Sequence, residues 1–249
     1  MALFQRLFFA VLLAGLISGA AMAALQQWRV VPLIIAAEAY EGTEAPAAHS
    51  HEAGTPAHDD TAAAAPAHEH GDDEWMPADG LERTFYTVAS GLFAALGFAF
   101  VLSAASVLTG FEVTARNGVL WGLAGFAVFQ FAPAFGLPPE LPGMPAADVV
   151  ARQIWWWGTA AATATAIYGM AKFQNIAAVA VGIALIVVPH IIGAPQPADH
   201  ASSVPAPLAA AFAANTLFVG LSFWLILAPL YGALVARFSR SASTVAVTA

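Results

Sequence analysis

Five histidines stand in one acidic stretch of the chain, as His49-Ser50-His51, His58-Asp59-Asp60 and His68-Glu69-His70-Gly71-Asp72-Asp73-Glu74. Two imidazoles one residue apart on a flexible chain can converge on one ion, with nearby Asp or Glu completing its shell. Imidazole with carboxylate and no thiolate suits divalent first-row metals such as Co²⁺, Ni²⁺ and Zn²⁺. The chain has no cysteine, which excludes thiolate metal sites, disulfides and a cysteine nucleophile. A solubilising acidic loop with incidental histidines is the plain alternative. Ordering a flexible segment costs entropy, so such clusters bind weakly and exchangeably, as a collector that hands ions on should.

A second group of candidates lies in apolar surroundings. His190 is the one ionisable residue inside an apolar run, in Val187-Val188-Pro189-His190-Ile191-Ile192-Gly193-Ala194-Pro195. Ionisable residues at membrane depth are costly and default to functional candidates. Pro189 has no N–H for the carbonyl of Leu185, so a break in the helix is expected there. An imidazole beside freed carbonyls is a candidate metal site; a histidine hydrogen-bonded to a neighbouring helix is the alternative. A parallel break is expected at Gln130-Phe131-Ala132-Pro133, followed by Gly136-Leu137-Pro138-Pro139-Glu140-Leu141-Pro142-Gly143. Two proline-interrupted helices at similar depth point to a transport site. Glu140, in a proline-rigid turn, is either a carboxylate ligand or an exposed loop charge. Asp199 and His200 follow on the same side. The metal-handling set is therefore His190, Glu140, His49, His51, His58, His68, His70 and His200. No catalytic residue or permanently bound cofactor is expected, the metal being cargo. Glu38 and Glu41, the nearest approach to a paired acid and base, have no obvious substrate pocket, so an enzyme is not expected.

The elements that position these residues follow from composition. Of 249 residues, 59% are hydrophobic and 10% charged, and the mean hydropathy is +0.71. Soluble domains carry about 25% charge, so a water-soluble enzyme is ruled out and a polytopic membrane protein indicated. A net charge of −8 disfavours nucleic acid as partner. The predicted architecture is an all-α membrane helix bundle with six transmembrane helices: Leu7–Leu25, Phe85–Leu108, Gly118–Phe135, Ile154–Met170, Ile176–Ile192 and Leu208–Tyr231. Ala21-Met22-Ala23 fits a signal-peptide cleavage pattern, and removal of residues 1–23 would leave five spans. Apolar residues resume at Val30–Ala37, which favours an uncleaved helix. Residues 41–80 hold ten carboxylates, five of the seven histidines and no lysine or arginine, the composition of a disordered segment. The chain thus divides into a first helix with its flank (1–40), the His/acid-rich loop (41–80), a five-helix membrane bundle (81–240) and a short tail (241–249).

Charge sets the orientation. With the N-terminus inside, Arg6, Arg116, Lys172, Arg237 and Arg240 are inside and Arg29, Arg83 and Arg152 outside. Fifteen of the 16 carboxylates then fall outside, with only Glu112 inside. Both termini are therefore expected in the cytoplasm and the histidine-rich loop in the periplasm. Gly15/Gly19 and Gly118/Gly122 have the spacing that lets helices approach closely, or arise by chance among 20 glycines. Trp28, Trp155-Trp156-Trp157 and Tyr231 are placed at the membrane interfaces, and Asn215 is a candidate for a bond across helices. No phosphate-binding loop is present, so the chain alone does not hydrolyse ATP.

These features together resemble the CbtA family of bacterial cobalt transporter subunits. The resemblance rests on the N-terminal helix with Arg6 and Gly15, the His-rich loop, and Gly-Leu-Pro-Pro-Glu-Leu-Pro-Gly at 136–143. Arg152-Gln153-Ile154-Trp155-Trp156 and Pro189-His190 with Gly193-Ala194-Pro195 complete it. It implies cobalt uptake linked to cobalamin synthesis, five or six spans in the inner membrane, and a small single-span CbtB-like partner. His190 and Glu140 fall in the matching motifs; the loop histidines match in character more than in position. The remaining alternatives are a nickel or zinc carrier, an exporter built of the same parts, and a non-transporting metal sensor or accessory subunit.

Overall fold

The computed structural model describes residues 2–40, 77, 78 and 80–247. Among these residues all regular structure is helical: α1 (Ala2–Arg29), α2 (Val31–Glu38), α3 (Leu81–Thr109), α4 (Gly118–Phe126), a π-helical turn (Ala127–Phe131), α5 (Ala132–Ala134), α6 (Val149–Phe173), α7 (Ile176–Ile192) and α8 (Ala206–Val247). His49, His51, His58, His68 and His70 lie outside the described residues.

The long helix α8 is the post around which the rest assembles. α1 and α4 pack along it, and α1 also packs along α3. Their shared core contains Val11, Ala14, Ala95, Leu102, Phe223, Trp224 and Leu227. Small residues make the seams. A Cβ on Gly19 would lie 2.8 Å from that of Ala95, and one on Gly118 would lie 2.4 Å from Cα of Pro229. A Cβ on Gly122 would come within 2.5 Å of the Trp224 carbonyl oxygen. Gly118 and Gly122 therefore sit where two backbones touch, and Gly15 and Gly19 where α1 meets the side chains of α3 closely, which is how helices associate once lipid has removed the hydrophobic drive between them.

α6 and α7 form a separate hairpin, joined to the core through the π turn and α5. Its geometry is locally encoded. Asp148 Oδ1 accepts from the Ala151 amide at the start of α6, and Asn175 Oδ1 from Ala178 at the start of α7, each at 2.9 Å. Between the helices Gln174 adopts φ 49°, a left-handed cap that reverses the chain.

Among the described residues, three helices are long and apolar enough to cross a membrane: Phe4–Arg29, Leu81–Thr109 and Ala206–Arg240. Gly118–Ala134 and Ile176–Ile192 are shorter apolar helices. At ~1.5 Å per residue, the 17 residues of α7 reach about 26 Å. α6 has 25 residues, with Arg152 and Lys172 near its two ends.

Three expectations are corrected. α7 is not broken at Pro189 but runs on to Ile192. Only one turn follows the proline, and the Pro189 carbonyl anchors it by accepting from the Gly193 amide and from Trp155 Nε1, each at 3.1 Å. Tyr231 does not face outward: it is 2% exposed, packed in the core with its hydroxyl donating to Ser103 Oγ at 2.9 Å. Asn215 bonds not across helices but along its own, donating to the Ala211 carbonyl at 2.8 Å. An amide one turn from a helical carbonyl satisfies itself locally.

Candidate functional site

The irregular end of the α4–α5 passage is the feature around which the candidate residues gather. The expected break is not a break: the helix runs on from Gly118 to Ala134 and only widens to a π turn just ahead of Pro133. In the π turn the Ala132 amide bonds back five residues to the Ala127 carbonyl. The next residue, Pro133, has no N–H to offer the carbonyls of Val128 and Phe129. Widening to π geometry before a proline relieves the clash of its ring with the preceding turn. Phe129 ties this turn to the core, its ring lying 5.8 Å from that of Trp224 and nearly parallel to it.

Two cavities flank this end. The first, about 460 Å³, lies between the π turn, the start of α6 and the middle of α8, and is lined by Gln130, Glu140, Arg152, Gln153 and Thr216 among others. Glu140 is held at its rim by an ion pair, Arg152 donating to Oε2 at 2.7 Å. Both side chains are largely covered, 29% and 22% exposed for Arg152 and Glu140. The turn carrying Glu140 is anchored by the next residue, Leu141, which is buried with Val204, Phe212 and Val219. Gln130 Oε1, Thr216 Oγ1 and Trp224 Nε1 are buried out of reach of solvent without a hydrogen-bond partner among the described residues.

The second cavity, about 710 Å³, is lined by Phe135, Trp155, Thr163, His190 and Gln196 among others. His190 sits between the rings of Trp155 and Phe135, at 5.7 and 6.0 Å. The structure therefore places the two principal candidates apart: Glu140 on one cavity, His190 on the other. His200 and Asp199 are exposed in the coil after α7, and Asp199 Oδ1 accepts from the Ala201 amide. Among the described residues no three His, Asp or Glu side chains converge on one point.

The sequence motifs pair with one another in space. Gly136 faces both the Trp155 ring and Ala194, and a Cβ there would come within 2.4 and 2.7 Å of them. Trp155 bonds the Pro189 carbonyl and Arg152 bonds Glu140. The proline-rich turn, the start of α6 and the end of α7 are thus one packed unit. Sequence reasoning missed Arg152 as the partner of Glu140. The available signal was an arginine at the head of an apolar helix.

Residues 4–236 match the family model of CbtA, described as a probable cobalt transporter subunit. No curated protein and no solved structure gives a significant match.

Proposed function

Since the chain belongs to the CbtA family of probable cobalt transporter subunits, we propose that it carries Co²⁺ inward across the bacterial inner membrane, for cobalamin synthesis. The observation that carries this reading is the pair of cavities beside a π-widened helix, one bearing a carboxylate and the other an imidazole. In this reading the chain makes six spans, both termini are cytoplasmic, and the periplasmic histidines of 41–80 collect the ion. Glu140, His190 and the helix end then exchange part of its water shell for protein donors. For a divalent cation a membrane potential of about −100 mV supplies roughly 4.6 kcal/mol inward, about a 2,000-fold gradient at equilibrium. A small single-span CbtB-like subunit completes the assembly.

The test is cellular cobalt, measured by mass spectrometry in a metal-transport-deficient bacterium expressing the chain, with His190→Ala beside it. Cobalt above the empty vector, lowered in the variant, is the expected result. No accumulation from verified membrane protein, with or without the small subunit, would overturn import and leave an accessory or sensing role.

Acidity supplies a second check. Histidine binds metal when neutral and titrates near pH ~6.5, so protonation removes the collecting ligands as pH falls. Uptake at limiting cobalt should drop between about pH 7.5 and 5.5. A flat profile would exclude histidine-mediated capture.

A further inference from the structure

We propose that the cavity below His190 holds one acyl tail of a bilayer phospholipid, entering sideways between α5 and α7. This rests on the reading of α6 and α7 as membrane spans. It leaves His190 itself at the mouth, where the metal reading needs it. Length, polarity and access all point to this occupant.

The cavity is a slot with a direction. Its walls run along α6 from Trp155 to Ile167, and along the α4–α5 passage from Gly136 back to Ala127. At ~1.5 Å per residue these walls are about 18 and 14 Å long. One leaflet of a ~30 Å hydrocarbon core is about 15 Å deep, the depth that one acyl tail fills. Arg152, less than one turn ahead of Trp155 in α6, sets the mouth near the membrane boundary. The slot therefore runs from one interface to the middle of the bilayer.

The lining changes along the same axis. At the mouth stand the imidazole of His190, the amide of Gln196 and the indole of Trp155. Ala127, Ile167 and Ile186 line the deep end, and the hydroxyl of Thr163 there donates to the Thr159 carbonyl at 2.8 Å. Apolar walls of this kind do not hold water. Left empty, about 710 Å³ forfeits dispersion contact on every wall. A lipid tail restores that contact and has no water to shed, since it comes from hydrocarbon.

Access separates a lipid from a solute arriving out of water. At the aqueous end Gly136 packs against the Trp155 ring and Ala194, and all three line the slot. The bond from Trp155 to the Pro189 carbonyl holds α6 to α7 at the same level. The side is open by contrast: Phe131 and Phe135, which edge the slot, are 47% and 71% exposed. A tail entering there leaves its ester oxygens level with the Gln196 amide, a donor for them.

The test uses the full chain in phosphatidylcholine vesicles doped with a phosphatidylcholine that carries a diazirine at the end of one acyl chain. After illumination, labelled residues are mapped by peptide mass spectrometry. Val181 and Ile183, exposed on the outer face of α7, report the surrounding lipid. Label on Ile167 and Ile186 should exceed label on Val181 and Ile183 about tenfold. Ala132→Trp fills the slot from one wall and Ile167→Trp from another, and each should bring Ile186 down to the level of Ile183. Equal label on both faces of the wild-type chain, or an excess at Ile186 that survives both substitutions, overturns the site alone. No label on either face of α7 would sink the spanning reading of the hairpin, and the site with it.

Discussion

Gly118→Ala should markedly destabilise this protein. The new Cβ would lie 2.4 Å from Cα and 2.6 Å from N of Pro229, whereas non-bonded carbons rest at about 3.5–4.0 Å. The obstacle is backbone, so no side chain can swing aside, and α4 and α8 must separate by about an ångström. Overpacking of this kind costs roughly 1–3 kcal/mol or more. For a chain of this size that corresponds to a fall of about 2–12 °C in thermal midpoint, followed in detergent. Gly97→Ala is the matched control, since nothing lies within 4 Å of a Cβ there and alanine favours helix over glycine. Equal midpoints for the two variants would show that the α4–α8 seam is not a close contact.

The second large effect concerns the ion pair at the cavity rim. Glu140→Gln should cut cobalt uptake at limiting metal by more than about tenfold, because it removes the only carboxylate that lines that cavity among the described residues. Arg152→Gln leaves Glu140 charged, largely covered and without its guanidinium. A pair at this exposure sits between surface pairs, worth about 0–1 kcal/mol, and buried ones, where loss of one partner costs about 3–5. A stability loss of about 1–2 kcal/mol is therefore expected for Arg152→Gln. The double variant separates the two roles. With both charges gone, stability should recover while uptake stays low, a coupling that a double-mutant cycle measures directly. If uptake recovers with stability, Glu140 is a structural charge and does not handle the ion.

Much of the helical scaffold was legible in the chain, for reasons that belong to single segments. Long apolar runs leave helix as the economical way to satisfy backbone groups away from water, and α1, α3 and α8 follow. Gly118 and Gly122 mark close contact because only their spacing and size matter. Where local rules competed with tertiary ones, the sequence misled. Pro189 reads as a break, yet the indole N–H of Trp155, from the neighbouring helix, holds its carbonyl and the turn beyond it. Tyr231 reads as an interfacial ring, yet Ser103, 128 residues away in the chain, receives its hydroxyl in the core.

The sequence by itself determined that this is an all-helical, membrane-type protein of the CbtA family. Only the tertiary structure decided that Glu140 meets Arg152 and that His190 opens onto a different cavity. Apolar periodicity and length fix how deep a residue sits and on which face of its helix. They do not fix which helix lies against that face, because lipid rewards every apolar surface alike. That choice is made by shape, at the glycine seams along α8 and α3, and it exists only once the helices have packed.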